Sequence, residues 1–232
     1  MFGTVGILIS PLSTGHARLP EPHRCSDELT VTIRDGLARE NAKRALALDS
    51  ESSLAHAGLA VAHRFARRVE EARLAFKRSL ELNPSDPRVL RDVAFFDLFR
   101  GRYDTAFEVA RKIVKSDPGL GNFLIAYALM PMGEFEGALT ACRDAVSLHP
   151  DFSLAHQLHG FIMLTKGDKA KALESLRLSE ELGYEASVDA IAQTGFGYQL
   201  LGHREDALRI FEKIEMLARE YVVTDAAWAL VY

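Results

Sequence analysis

Small and apolar residues recur along this chain in two interleaved sets, each at helical spacing. One set is Ala38, Ala72, Ala106, Ala138, Ala172 and Ala207, separated by 34, 34, 32, 34 and 35 residues. Four positions after each stand Ala42, Phe76, Ala110, Cys142, Leu176 and Phe211, and three further on Ala45, Ser79, Ile113, Ala145, Ser179 and Ile214. Offsets of four and three lie on one helical face. A second set, Ala60, Ala94, Ala126, Gly160 and Gly195, precedes the first by about twelve residues, each inside an apolar segment. Small side chains at these positions let paired helices approach closely, so the two sets describe the two helices of a hairpin. Between them fall Gly101, Gly133, Gly167 and Gly202, each followed by a polar residue, as helix C-terminal caps require. Arg67 takes that place in the first unit.

After the second helices come Asn83-Pro84, Asp117-Pro118 and His149-Pro150, where proline stops one helix and opens the next connection; Ser50 and Tyr184 replace proline elsewhere. The pattern predicts hairpins at 53–82, 87–116, 120–148, 153–182 and 187–220, preceded by a lone second helix at 36–48. Near-identity of Ser53-Leu54-Ala55-His56 with Ser153-Leu154-Ala155-His156, three units later, supports duplication independently. The third unit is two residues short and carries Pro131, which should kink or truncate its first helix before Gly133.

These positions, Ala60…Ala72…Phe76…Pro84, Ala94…Ala106…Ala110…Pro118 and their later counterparts, resemble the tetratricopeptide repeat family over roughly residues 36 to 221. The resemblance implies an all-α fold, a right-handed superhelical solenoid of antiparallel helix hairpins. It divides the chain into an irregular leader at 1–26 and a repeat domain at 27–232. Within that domain lie a partial repeat at 27–50, repeats near 53–86, 87–118, 119–152, 153–186 and 187–221, and an incomplete repeat at 222–232. The stretch Glu220–Thr224 through Ala229–Tyr232, after Leu217-Ala218-Arg219, is similar to modules attached to bacterial winged-helix transcriptional activators and class III adenylate cyclases. Neither a helix-turn-helix nor a cyclase domain is found in the sequence, so neither activity transfers.

In this family the first helices line a concave groove, and the register turns that into side chains. Arg64 and Phe65 face it from the first repeat, Arg88, Arg91, Phe95 and Phe99 from the second, Phe123 and Tyr127 from the third, Phe161 from the fourth, and Phe196 and Gln199 from the fifth. Leu54, Val61, Met130, Gln157 and Leu164 belong to the same face. So aromatic a face suits an extended or helical apolar peptide, with Arg88 and Arg91 available for a carboxylate. The plainer reading stands beside it: several of these rings pack between neighbouring repeats. The Lys and Asn pattern of chaperone-tail-binding relatives is absent from the matching positions.

Candidate chemistry is thin. His156 and His159 lie three apart on one helix face, but nothing nearby completes a metal-ligand set, and a packing or capping role is expected for them and for His56 and His63. Cys142 falls at a hairpin-packing position and reads as a small buried hydrophobe rather than a nucleophile. The runs Glu70-Glu71, Glu180-Glu181, Arg67-Arg68 and Lys77-Arg78 read as solvated helix faces, and Gly195-Phe196-Gly197 lacks the strand and lysine of a phosphate loop. No cofactor or metal is expected, and the chain reads as a binding protein rather than an enzyme.

Composition narrows the partner. The chain has 232 residues, 48% of them hydrophobic, a formal net charge of −4 and a pI near 6.1, so it offers no broad basic field for nucleic acid. Two widely separated cysteines, Cys25 and Cys142, fit a reducing compartment, with the cytoplasm as default. The apolar stretch Phe2 to Leu12 lacks preceding positive charge and is broken by Gly3, Gly6 and Pro11, which argues against a secretory signal. No apolar run approaches the ~20 residues that span a bilayer. A protein or peptide partner is therefore expected, with no nucleic acid and no membrane. Two alternatives stay open: the chain as a fragment or regulatory module of an activator or cyclase, and self-association as a homodimer through the apolar segment at 222–232.

Overall fold

The computed structural model describes residues 37–183 and 188–217, and among these it contains eleven α-helices and no strand. The first, α1, runs over 37–48. Five hairpins follow: α2 (Ser53–Phe65) with α3 (Val69–Leu82), α4 (Pro87–Leu98) with α5 (Tyr103–Ile113), and α6 (Pro118–Leu129) with α7 (Phe135–Leu148). The fourth pairs α8 (Ser153–Lys166) with α9 (Lys169–Leu182), and the fifth α10 (Val188–Leu201) with α11 (Arg204–Leu217). The array is an all-α right-handed solenoid of antiparallel hairpins. The expected leader at 1–26 and the segment at 222–232 lie outside the described residues.

Each hairpin is closed by the same hydrogen bond. The backbone N–H of Arg68, Arg102, Glu134, Asp168 and His203 donates to the carbonyl five residues earlier, on His63, Asp97, Leu129, Met163 and Tyr198. That closure puts the residue before the donor in the left-handed region, with φ of 70, 83, 80 and 83° at Gly101, Gly133, Gly167 and Gly202. Arg67 adopts it too, at φ 56°, the one non-glycine residue with positive φ among the described residues. Helix starts are built from local chemistry as well. Asp86 accepts from the N–H of Arg88 at 3.0 Å and Asp117 from that of Leu120 at 2.9 Å, each followed by a proline in the first helical turn.

The small residues sit where helices touch. Ala60, Ala72, Ala94, Ala106, Ala126, Ala138 and Ala172 are each no more than 1% exposed. A Cβ on Gly160 would come within 2.9 Å of Leu176 Cγ and 3.2 Å of the Ala172 carbonyl. The expected hairpins 53–82 and 153–182 are found at those residues, while two others differ for one reason. Helix α5 has 11 residues where the other second helices have 14, ending at Ile113 rather than 116, and α6 begins on Pro118 rather than at 120. The missing two residues are thus taken from the joint between the second and third hairpins. Gly121 makes that joint possible, since a Cβ there would meet the Val114 backbone nitrogen at 2.6 Å. Pro131 truncates α6 at Leu129 and lies in the turn.

The duplicated motif keeps its contacts. His56 Nε2 bonds the Ser50 carbonyl at 3.1 Å, and His156 Nε2 bonds the Pro150 carbonyl at 2.8 Å, each six residues back. Cys142 is fully buried, its Sγ donating to the Ala155 carbonyl at 3.3 Å, and burial pushes its thiol up to about 12.

Candidate functional site: the inner face of the first helices

Successive first helices, α2, α4, α6, α8 and α10, pack against one another, whereas successive second helices scarcely meet. An array closer together on one side must curve toward it, so the first helices form the inner surface. Asp189, at the start of α10, acts electrostatically on both Arg64 of α2 and Tyr127 of α6.

Burial sorts the residues expected to line this face. Phe65 and Phe99 stand out, 57% and 41% exposed, on large rings that a monomeric surface normally covers. Phe95, Tyr127, Phe196 and Arg64 are half-buried, and Arg88, Arg91 and Gln199 are exposed. Phe123 and Phe161 lie beneath the surface at 2% and 5% exposure. Phe123 is fixed between Tyr127, ring centroids 5.9 Å apart, and Phe152 at 4.9 Å. Phe95 stacks on Phe99 at 6.2 Å with planes 21° apart. Gln157 is also buried: its side-chain amide donates to the Ala190 carbonyl at 2.6 Å and to Thr194 Oγ1 at 2.8 Å, tying the fourth hairpin to the fifth.

The charges are arranged differently from the expectation. Arg88 is held by Asp86, with Nε–Oδ1 and Nη2–Oδ2 separations of 3.1 and 2.9 Å, and this bond keeps the Asp86 carboxyl below its ordinary range. Arg91 turns to Asp92 at 3.2 Å. Arg64 has no such partner among the described residues. Its guanidinium carbon lies 4.5 Å from the Phe65 ring centroid and 6.0 Å from that of Phe99, and its Nε is buried with no hydrogen-bond acceptor. Burial lowers its proton affinity, partly opposed by the charges of Asp92 and Asp189. Burial likewise pushes the Tyr127 phenol up to about 12. Arg64 was legible in the register; that Asp92 and Asp189 share its field was not, because that depends on curvature.

Elsewhere, a cleft of about 360 Å³ between α3 and α4 has a floor of Phe76, Leu80, Val93 and Phe96, but its rim charges are engaged. Arg73 pairs with Glu70 at 2.8 Å, Lys77 with Glu81 at 3.9 Å and Arg102 with Asp97 at 2.5 Å. His159 Nδ1 meets Ser175 Oγ at 2.8 Å, away from the carbonyl bonded by His156, and burial lowers its proton affinity. No group of three or more potential metal ligands occurs among the described residues. No helix among them is long and apolar enough to cross a membrane.

Residues 36–87 match the family model described as tetratricopeptide repeat. No curated protein matches the chain. Among solved structures, a thermophilic TPR protein of Thermus thermophilus is 23% identical, with 77% of this chain and 97% of that one covered and a TM-score of 0.66. PilW, a widely conserved type IV pilus biogenesis factor, is 15% identical over 92% of this chain and 100% of its own, at a TM-score of 0.62. YrrB, a TPR protein with an unusual peptide-binding site, is 20% identical over 78% of this chain and 97% of its own, at 0.50. Five hairpins closed by one repeated bond and the likeness of the array to solved solenoids give this chain the fold of tetratricopeptide repeat proteins, with the family's own model matched over residues 36–87.

Proposed function

We propose that the chain is a scaffold whose inner face captures a segment of a protein partner, and that it works by binding rather than by catalysis. The observation that carries this is the inner-face exposure of Phe65 and Phe99, with Phe95 stacked on Phe99, in a fold compatible with protein–protein interaction. Rings of this size left open to water lose stabilisation that a partner's apolar side chains restore, at roughly 25 cal/mol per Å² covered. YrrB, similar in fold, is described as having an unusual peptide-binding site, which supports peptide binding as a use of such a fold. The lining is Arg64, Phe65, Arg88, Arg91, Phe95, Phe99, Tyr127, Phe196 and Gln199, with Phe123 and Phe161 supporting it from beneath. A bacterial regulatory or signalling setting rests on the resemblance of residues 217–232 alone, and a cytoplasmic one on the two widely separated cysteines.

The test is a quantitative pull-down with wild type and with Phe95→Ala/Phe99→Ala. Helicity should be unchanged, because Phe99 is exposed and Phe95 half-buried, while recovery of partners falls at least tenfold. Partners recovered equally by both proteins would place binding elsewhere.

A further inference from the structure

On the inner face, three arginines meet two different fates. Arg88 and Arg91 each pair with the aspartate beside them, Asp86 and Asp92. Arg64 is the reverse case. No described carboxylate stands at ion-pair distance from it, its Nε is buried without an acceptor, and its guanidinium lies over the Phe65 ring with the Phe99 ring 6.0 Å away. A guanidinium stacked on aromatic rings keeps its fork of N–H donors aimed outward and fixed in direction. Such a group, partly desolvated and with no carboxylate at hydrogen-bonding distance, gains more from a ligand carboxylate than a hydrated surface arginine does.

We propose that Arg64 is the specificity residue of the groove: it selects partner segments carrying an Asp or Glu side chain next to a bulky apolar residue, the carboxylate on Arg64 and the apolar side chain on Phe65, Phe95 and Phe99. This rests on the reading of the inner face as the binding surface.

The experiment uses the full chain and a phage-displayed library of random peptides, with selected sequences resynthesised and titrated by fluorescence anisotropy. Selected peptides should carry one Asp or Glu within two positions of Phe, Trp or Leu. Changing that acid to its amide should weaken binding to the wild type by about tenfold or more, and by less than about threefold in Arg64→Gln. Arg64→Lys, which keeps the charge without the planar fork, should fall between the two, and Arg73→Gln, on the second helix of the first hairpin and outside the groove, should bind as wild type. If the acid-to-amide change costs the same in wild type and Arg64→Gln, the assignment of Arg64 is overturned while the groove stands. Selected peptides whose binding survives Phe95→Ala/Phe99→Ala, or a library with no binders, would overturn the groove reading and this inference with it.

Discussion

The side-chain amide of Gln157 in α8 donates to the backbone carbonyl of Ala190 in α10 at 2.6 Å, inside the interface between the fourth and fifth hairpins. The bond takes up a carbonyl that α10 shares with Thr194, whose Oγ1 also reaches it at 3.2 Å. In a linear array each hairpin is stabilised by its neighbours alone, so a bond at one joint acts locally. Gln157→Ala should lower protection of α10 and α11 in hydrogen exchange by about 2 kcal/mol, leaving α2–α5 unaffected. Uniform loss along the chain would refute this.

The same joint is sensitive to acid. Burial pushes the Glu180 carboxyl up, but hydrogen bonds from Arg209 and Tyr198 outweigh it and hold the group below its ordinary 4.5. A carboxyl whose folded value is depressed contributes stability that is complete above the unfolded value and lost as pH falls through the folded one. Exchange in α11 should therefore accelerate below about pH 4, ahead of α6 and α7. Glu180→Gln should flatten that dependence; an unchanged profile would assign it to other carboxylates.

Arg67 holds the left-handed turn that glycine fills in the other four hairpins. A side chain at that geometry costs roughly 1–2 kcal/mol, partly offset in a glycine variant by the freer unfolded chain. Arg67→Gly should raise the midpoint of thermal unfolding of the first hairpin by a net gain of about 1 kcal/mol. Circular dichroism reads the shift, and a lowered midpoint would contradict it.

Ser53 and Ser79 bridge α2 and α3, Ser79 Oγ donating to the Ser53 carbonyl at 2.7 Å and Ser53 Oγ to the Ser79 carbonyl at 3.0 Å. The equivalent Ser153 and Ser179 are buried with neither hydroxyl bonded. Alanine at both of the first pair should cost about 1–2 kcal/mol, and at both of the second close to nothing, since no bond is lost. Equal costs in urea titrations would show that the second pair is bonded in solution.

Cys142, with its thiol raised and its Sγ bonded inward, should resist iodoacetamide at pH 8 in the folded chain and react on unfolding. Mass spectrometry of the peptide containing it measures this directly, and rapid labelling in the native state would show that α7 opens readily.

The hairpins were legible without coordinates because they rest on short-range relations. Spacings of three and four residues place Ala72, Phe76 and Ser79 on one helix face, and an N–H bonding five residues back demands a left-handed residue at Gly101 or Gly167. The inner face was legible as a roll of positions but not as a surface. Register put Phe123 and Phe65 on the same side; only packing showed that Phe152 covers the first while the second stands open. Register likewise could not show which arginines are neutralised, since Arg88 and Arg64 differ in where a neighbouring carboxylate points. Approach of Asp189 to Arg64 was beyond any spacing rule. It depends on how the hairpins stack, first helices against first helices, and that stacking is a property of the folded array rather than of any one stretch of chain.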